Sequence, residues 1–249
     1  MELQVIGTGS AGNMYVLRAD GRAVILDAGV TFIRAIRNIP ELRNSSVEAC
    51  LITHEHGDHS QCVGAISRLG VQIITSKGTA EALHDKNPLV PFVTMGSLEV
   101  KRVGQFIIMP FDTQHDAAEP FGFLIRYEPT GETLLYATDT YYLKYRFPGV
   151  NYWVVECNYC DNIMDDMRNE GSMTPELRKR LKRSHMSLDR LIATLNANDL
   201  THTRKIVLVH LSDERSDEKA MVNRIRIETM IDTVAATNGA KIPLELAPF

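Results

Sequence analysis

Residues 54–59, with the sequence His-Glu-His-Gly-Asp-His, place three histidines and two acids directly after the apolar run of residues 49–52. Because side chains alternate in extended chain, His54 and His56 can point the same way and hold one metal ion. Asp58 and His59 follow in the turn and can hold a second ion. Ligand-type side chains crowded at a strand end predict a metal site in this loop.

Three further ligand-type residues follow predicted strands, where an open site would collect them: His115, Asp139 and His210. An acid between two histidine-bearing halves can bridge both ions, and we predict that Asp139 does so. Imidazole and carboxylate ligands without thiolate suit Zn²⁺, with Mn²⁺ or iron as alternatives.

Two such ions, held ~3.5–4 Å apart, convert a bridging water to hydroxide at neutral pH and neutralise charge on an ester or phosphodiester under attack. No covalent nucleophile is then needed, and the sequence contains neither G-x-S-x-G nor a P-loop. We expect Asp58 to orient the hydroxide as well as to bind metal. Glu55, which lies between the ligands, is expected to point away from them.

Residues 7–12, Gly-Thr-Gly-Ser-Ala-Gly, match the dinucleotide pattern G-x-G-x-x-G. That chemistry requires a helix N-terminus to hold the pyrophosphate. Residues 13–27 are instead rich in strand formers and are divided by a hairpin turn at Asp20-Gly21. The glycines therefore predict a tight loop between strands and not a nucleotide site.

The elements that must position these residues form two groups of strands, each flanked by helices. This order predicts an α/β fold, an αββα sandwich of two mixed β-sheets, with residues 1–249 as a single domain. Predicted helices cover residues 31–38, 60–69, 77–85 and 187–197, with a long one over 217–237. A further helix is predicted for the basic segment 175–190.

Composition is that of an ordinary globular protein, with 44% hydrophobic and 23% charged residues. The sequence has no signal-peptide pattern and no apolar run near the ~20 residues that cross a bilayer. Four cysteines in 249 residues fit a reducing compartment, so we expect a cytoplasmic protein. The lone C-x-x-C of residues 157–160 has no second pair, and its cysteines are interpreted as bystanders, as are His84 and His202.

The net charge of −4 gives no general attraction to polyanions, so nucleic-acid binding would need a local patch. One candidate lies in residues 175–190, where five basic residues crowd two helical turns: Arg178, Lys179, Arg180, Lys182 and Arg183. A solvated helix face is the alternative interpretation. His185 ends this run, and no metal-ligand pattern includes it.

The ligand set in this order resembles the metallo-β-lactamase superfamily, and Asp27 in Ile-Leu-Asp-Ala-Gly matches its early structural aspartate. The segments that are similar to the YycJ-like (WalJ-type) metallo-hydrolases are GTGSAGN (7–13), THEHGDH (53–59), HDAAEPFGF (115–123), YATDT (136–140), VECNYCD (155–161), SHMS (184–187) and VHLSDE (209–214). That resemblance implies an αββα fold, two metal ions (zinc or manganese) and 5′-to-3′ exonuclease activity on DNA.

Carried over position by position, the resemblance implies one ion on His54, His56 and His115. It implies a second ion on Asp58, His59 and His210, with Asp139 as the bridge. His185 then suits binding of the scissile phosphate or protonation of the leaving oxygen. Substrate contacts are predicted for four residues: His185, Ser187, Arg180 and Arg183.

Three hypotheses follow. The first is a dimetal phosphodiesterase that acts on nucleic-acid ends, with Asp58 and His185 as its catalytic residues. The second is a hydrolase of cyclic nucleotides or other small phosphodiesters, which the acidic, compact chain also fits. The third is a non-catalytic scaffold, against which the intact ligand set argues, and thioester or lactam substrates are a minor fourth option. No membrane partner is expected, and a homodimer stays open.

Overall fold

The structure is a computed structural model that describes residues 1–245. It divides into two compact units. The first unit comprises Met1–Asp112, Ala117–Gly131 and the chain from Thr237, and the second comprises Thr113–Asp116 and Glu132–Ala236. A single domain over residues 1–249 stays a prediction.

The strands, in chain order, are β1 (Glu2–Gly7), β2 (Met14–Ala19), β3 (Arg22–Leu26), β4 (Val47–Leu51), β5 (Ile73–Thr75), β6 (Phe92–Thr94), β7 (Lys101–Val103), β8 (Phe106–Asp112), β9 (Phe121–Tyr127), β10 (Thr133–Ala137), β11 (Tyr152–Glu156), β12 (Lys205–Val209), β13 (Asp232–Ala235) and β14 (Lys241–Pro243). The helices are α1 (Phe32–Asn38), α2 (Gly57–Ser60), α3 (Val63–Ser67), α4 (Lys77–His84), α5 (Asp161–Asn169), α6 (Pro175–Ser184), α7 (Leu188–Asn196) and α8 (Glu218–Thr229), with a 3₁₀ turn at Pro40–Arg43. None of the helices within residues 1–245 is long and apolar enough to cross a membrane.

The first unit contains a seven-stranded mixed sheet in the order β14-β1-β2-β3-β4-β5-β6. Strands β2 and β3 pair antiparallel through the predicted turn, where Asp20 and Gly21 have φ of 46° and 76°. Both central residues of a type I′ hairpin need positive φ, which Asp-Gly supplies. From β3 to β6 the pairing is parallel, so these strands end at one edge of the sheet.

Strands β7 to β13 belong to a second seven-stranded sheet. In the first unit β7, β8 and β9 pair antiparallel. In the second unit β10, β11, β12 and β13 pair parallel, and β11 is buried at every position. The two mixed sheets expected from the sequence are therefore present, and the parallel strands align their carboxyl ends at one edge.

Buried apolar side chains stabilise each unit. In the first unit Ile25, Cys50 and Ile52 share a core with Val63 and Ile66 of α3, which covers one face of the sheet. In the second unit Trp153 of β11 is fully buried. A smaller cluster of Tyr159, Met164, Met173 and Leu181 joins α5 and α6. Burying such side chains is the main favourable contribution to folding.

The long helix predicted over residues 217–237 is wrong over its last eight residues. Helix α8 ends at Thr229, and Met230 takes a left-handed conformation with φ of 59°. Strand β13 follows at Asp232–Ala235 and pairs with β12. The β-branched residues Ile231, Thr233 and Val234 favour this extended edge strand. Helix α5 and strand β14 are additional elements that the sequence patterns did not indicate.

Candidate metal centre

The histidine loop of the first unit follows β4 and leads into α2. His54 Nε2 and His56 Nδ1 are 3.1 Å apart, and the ring centroids of His54 and His59 are 4.2 Å apart. His54 and His59 are buried. The side chains of residues 54 and 56 therefore converge as the alternation along an extended chain predicts, which brings three imidazoles together in one loop.

Asp27 holds this loop in position through hydrogen bonds. Its carboxylate accepts hydrogen bonds from the backbone N–H of Thr53 at 2.8 Å and from the Thr53 hydroxyl at 2.9 Å. Nδ1 of His59 lies 2.9 Å from Oδ2 of Asp27, and neither side chain is exposed to solvent. Because a carboxylate accepts, we assign the ring proton to Nδ1 and leave Nε2 of His59 as the donor atom for a metal. That Nε2 is 3.5 Å from Oδ2 of Asp58.

The glycine-rich segment of residues 7–12 is a loop between β1 and β2, and no helix begins after it. Its backbone packs closely against the histidine loop: the N–H of Asn13 donates to the Asp58 carbonyl at 2.7 Å. At Gly29 an added Cβ would lie 1.6 Å from that carbonyl oxygen, and at Gly12 it would lie 2.3 Å from the Gly29 carbonyl. The glycines thus permit close backbone approach, as their interpretation as a tight loop anticipates.

Glu55 has a structural use inside the first unit. Its Oε1 accepts a hydrogen bond from the N–H of Ala118 at 2.8 Å. The hydroxyl of Ser60 donates to the Glu55 carbonyl at 2.9 Å. The Glu55 carboxylate therefore fixes the segment before β9. The Ser60 hydroxyl, in α2, holds the backbone of the histidine loop.

In the second unit, a cluster of ligand-type atoms lies at the carboxyl ends of the parallel strands. One ligand atom from each of four residues lies within 4.8 Å of the others: Asp139, Glu156, His185 and His210. Asp139 follows β10, Glu156 ends β11 and His210 follows β12. Adjacent parallel strands end at one edge, which is why residues 71 positions apart in sequence meet here.

Glu156 was not among the predicted site residues. It is fully buried, and its Oε2 accepts hydrogen bonds from the N–H of Thr140 at 2.9 Å and of Met186 at 3.1 Å. Its Oε1 lies 3.3 Å from Nδ1 of His210. Although burial alone would raise it, the charges and hydrogen bonds of His185 and His210 hold the pKa of Glu156 below its usual value. The strand-end pattern that predicts Asp139 and His210 also applies to Glu156. It ends β11, which lies between β10 and β12 in the sheet.

His185 caps the C-terminus of α6, and its Nδ1 lies 2.6 Å from Oε1 of Glu156. Burial disfavours the charged ring, but the Glu156 carboxylate outweighs that effect and raises the pKa of His185. His115 donates from Nδ1 to the Ser184 carbonyl at 3.0 Å, and its Nε2 lies 3.7 Å from Oδ2 of Asp139. Burial lowers the pKa of His115 in spite of the nearby carboxylates.

His210 contacts Asp139 through Nδ1, and both residues are buried. Burial opposes protonation of this ring, but the Asp139 and Glu156 carboxylates raise the pKa of His210 to about 10. In the absence of a metal ion the ring is therefore a cation paired with carboxylates. A divalent cation that binds this ring must displace that proton, since imidazole must be neutral to bind metal.

Three of these residues have left-handed backbone conformations: φ is 59° at Asp27, 46° at Asp139 and 55° at His210. Each follows the end of a strand. Non-glycine residues adopt this region at a cost, and such strain persists where the surrounding structure imposes it. The backbone therefore turns sharply at three points where a ligand-type or supporting side chain is presented.

The predicted substrate contacts have different environments. Arg180 has 74% of its side chain exposed, with Nε 4.0 Å from Oδ2 of Asp116. Arg183 is exposed and lines a basic groove on α6. Ser187 is only 1% exposed, and its hydroxyl accepts from the N–H of Arg190 as the N-cap of α7. Ser187 therefore caps α7, and its contact with substrate stays a prediction.

The donor set fits a divalent metal. It consists of imidazole nitrogens and carboxylate oxygens, most of them buried, and buried carboxylates of this kind need cationic partners. The four cysteines are buried free thiols, and Cys157 contacts Met221 with its Sγ 3.8 Å from Sδ. His84 and His202 are exposed. The donor chemistry is thus that of a divalent-metal site with nitrogen and oxygen ligands.

Residues 22–211 match the family described as the beta-lactamase superfamily domain. The chain is 26% identical over 245 residues to the exodeoxyribonuclease WalJ of Streptococcus pneumoniae serotype 2 (strain D39 / NCTC 7466), which covers 89% of this chain and 87% of that protein. It is 29% identical over 171 residues to the exodeoxyribonuclease YycJ of Bacillus anthracis, which covers 64% of this chain and 63% of that protein.

Among solved structures, the metallo-beta-lactamase fold protein YhfI of Bacillus subtilis has a TM-score of 0.74 at 14% identity, with 96% of this chain and 98% of that chain covered. At this identity the likeness shows the fold alone. It confirms the α/β fold class, an αββα sandwich of the metallo-β-lactamase type. The chain therefore belongs to the beta-lactamase superfamily, as the resemblance of its motifs to the YycJ-like branch predicts.

Proposed function

We propose that the chain is a nuclease, a phosphodiesterase that removes nucleotides from DNA in the 5′-to-3′ direction. At the coarser level the family and the relatives confirm a metal-dependent hydrolase. The observation that carries the proposal is His185, which ends the basic helix α6 and is held by the buried carboxylate of Glu156. A protonatable ring beside a row of cations suits a phosphodiester substrate.

We further propose that seven residues hold two divalent ions, with residues 1–249 acting as one catalytic domain. His54, His56 and His115 are proposed for one ion, Asp58, His59 and His210 for the other, and Asp139 for both. Zinc or manganese would supply activation of water and neutralisation of charge on the phosphodiester. The nitrogen and oxygen donors clustered within each unit support this assignment.

The protein's own residues supply the remaining roles. Asp58 keeps 29% of its side chain exposed and is proposed to orient the attacking water. His185 is proposed to protonate the leaving oxygen, because its raised pKa keeps the ring charged at higher pH than an ordinary histidine. Glu156 positions that ring from within the protein. Arg183 and its neighbours on α6 attract the phosphate backbone without reading sequence.

Alanine variants test the ligand assignment. We expect His54→Ala and Asp139→Ala each to abolish hydrolysis of single- and double-stranded DNA. His84→Ala is the matched control, because His84 is an exposed histidine at the end of α4. Undiminished hydrolysis by either ligand variant would contradict a metal mechanism at these residues. Metal analysis of the purified variants should show a reduced metal content that His84→Ala does not share.

A substrate panel tests the substrate class. Oligonucleotides labelled at the 5′ or 3′ end and cyclic mononucleotides are incubated with Mn²⁺ or Zn²⁺. We expect early release of the 5′ label as a mononucleotide. Turnover of cyclic nucleotides alone would replace the nuclease by a small-phosphodiester hydrolase. Lack of any turnover, together with lack of bound metal, would support a scaffold.

A further inference from the structure

Two cavities of the second unit share the side chain of Arg190. The first, which we call the basic groove, has a volume of about 410 Å³ and is lined by Arg168, Arg178, Lys179, Lys182, Arg183 and Arg190. The second, the aromatic pocket, has a volume of about 370 Å³ and is lined by Tyr141, Tyr142, Leu143, Arg146 and Arg190, with small residues of α7. A strongly cationic surface thus adjoins an aromatic one.

The basic groove keeps a surplus of positive charge. Arg178 pairs with Asp165, and Nζ of Lys182 lies 2.7 Å from Oδ1 of Asp161. Arg168, Lys179 and Arg183 are exposed, and none of them pairs with an acid within residues 1–245. Repulsion among these cations lowers stability, which is a reason to expect an anionic occupant.

Arg190 is held at the junction by several contacts. Its Nη1 donates to the Lys182 carbonyl at 2.7 Å, and its guanidinium carbon lies 5.6 Å from the ring centroid of Tyr141. Ser187 caps the helix from which it projects. A fixed guanidinium beside an aromatic ring combines charge with a flat stacking surface.

The two cavities flank the His185 cluster along the chain. Tyr141 is the second residue after Asp139, and the N–H of the intervening Thr140 donates to Glu156. Lys182 and Arg183 immediately precede Ser184 and His185 at the end of α6. Residues that line the two cavities are therefore close in sequence to residues of the His185 cluster.

We propose that the basic groove and the aromatic pocket form one track for a single strand of DNA, with backbone phosphates in the groove and an unpaired base stacked in the pocket. The track rests on the proposed function and adds that the strand must be unpaired there. Basic grooves that follow the backbone and aromatic side chains that stack bases are how proteins hold single strands. An acidic peptide would use the groove alone, and a duplex hides the faces of its bases.

Binding is measured by fluorescence anisotropy with the full chain and a labelled oligothymidylate of about 12 nucleotides. Phosphorothioate linkages, which resist hydrolysis, keep the strand intact. The groove variant is Arg168→Ala/Lys179→Ala, and the pocket variant is Tyr142→Ala, since Tyr142 is 53% exposed and tolerates truncation. Lys219→Ala, an exposed cation on α8 that lines neither cavity, is the charge control, and Tyr142→Phe is the ring control.

The groove variant is expected to reduce the slope of log affinity against log salt by about 0.7 for each phosphate that it no longer neutralises. The pocket variant is expected to weaken binding roughly 5-fold or more, which matches the loss of one stacked base. Wild type should prefer the oligothymidylate over an abasic strand of the same length. Tyr142→Ala should narrow that preference, whereas the groove variant should weaken both strands equally.

The track is overturned if both variants bind as wild type, if duplex or polyglutamate binds as well as the single strand, or if abasic and normal strands bind equally to wild type. Hydrolysis of a small chromogenic phosphodiester separates this result from the proposed function. Failure of wild type to hydrolyse any phosphodiester, with binding as expected, removes the nuclease and keeps the track. Cleavage of DNA with unaltered binding by the variants removes only the track.

Discussion

Nδ1 of His185 lies 2.6 Å from Oε1 of the buried Glu156, which joins the end of α6 to the carboxyl end of β11. The same carboxylate accepts hydrogen bonds from the N–H of Thr140 and of Met186. One side chain thus sets the position of the proposed proton donor and of the turn that carries Asp139. A buried charge with this many partners fixes geometry more than it adds stability.

Glu156→Gln should shift the pH profile of kcat/KM. The carboxylate raises the pKa of His185 against the effect of burial, so its loss lowers that pKa. If the protonated ring is the active form, activity declines as pH rises through the pKa, and the declining limb of the variant moves to lower pH. Glu132→Gln is the control, because Glu132 pairs with Arg204 and hydrogen-bonds Tyr152. An unmoved limb in the Glu156 variant would show that His185 is not the titrating acid.

Metal binding to the metal-free protein should release protons near neutral pH. The pKa of His210 is raised to about 10 from an ordinary value of 6.5, so the ring is protonated throughout this range and must lose its proton to bind a metal. Apparent affinity should therefore increase with pH, up to about pH 10. Calorimetric titration with Zn²⁺ in buffers of different ionisation enthalpy measures on the order of one proton per protein from this ring. Heats that do not depend on the buffer would argue against it.

Asp27→Asn should lower the affinity for metal while changing the free energy of unfolding only modestly. The amide oxygen can still accept from Thr53, and Asn tolerates the left-handed backbone at this position. Toward His59, however, an amide can donate as well as accept a hydrogen bond, so it no longer fixes the ring proton of His59 on Nδ1. We expect metal affinity to decrease roughly 10- to 100-fold with a modest change in the free energy of unfolding.

Asp27→Ala should instead lower the free energy of unfolding by about 2–5 kcal/mol, because it leaves buried donors of Thr53 and His59 without an acceptor. Urea unfolding and metal titration of both variants make the comparison. Equal losses of stability in the two variants would contradict a separate role for the carboxylate in orienting His59.

The four cysteines should be unreactive in the folded protein. Burial raises the pKa of Cys62 to about 12 and raises the pKa values of Cys50, Cys157 and Cys160. Since the thiolate is the reactive form, a thiol reagent at pH 8 should label the protein only after denaturation. Rapid labelling of Cys157 or Cys160 in the native state would contradict their interpretation as bystanders.

Local patterns were enough to predict much of the fold and of the donor set. The Asp20-Gly21 turn, the strand before His54 and the strand ends at Asp139 and His210 all depend on neighbours in sequence. Glu156 follows the same strand-end rule, but its role depends on residues 29 and 30 positions away, which lie between α6 and α7 and come close only in the folded chain. The aromatic pocket could not be predicted from local patterns for the same reason, since Arg190 and Tyr141 are 49 residues apart in sequence.

The error at residues 230–237 has a similar origin. Helix α8 ends at Thr229, and the β-branched residues Ile231, Thr233 and Val234 favour an extended chain beyond it. Pairing with the distant strand β12 then makes this segment an edge strand. The position of Ser187 beside His185 predicts a substrate contact, which stays a prediction, and the structure adds that its hydroxyl caps α7.

The left-handed backbone at Asp27, Asp139 and His210 also constrains how this fold can change over evolutionary time. Asparagine and glycine are the residues that accept this conformation at least cost. Substitutions at these three positions should therefore favour Asn and Gly, which remove a charge or a ring without straining the backbone. Catalytically silent descendants of such a protein should be easy to reach by single substitutions, and they should carry Asn or Gly at these turns.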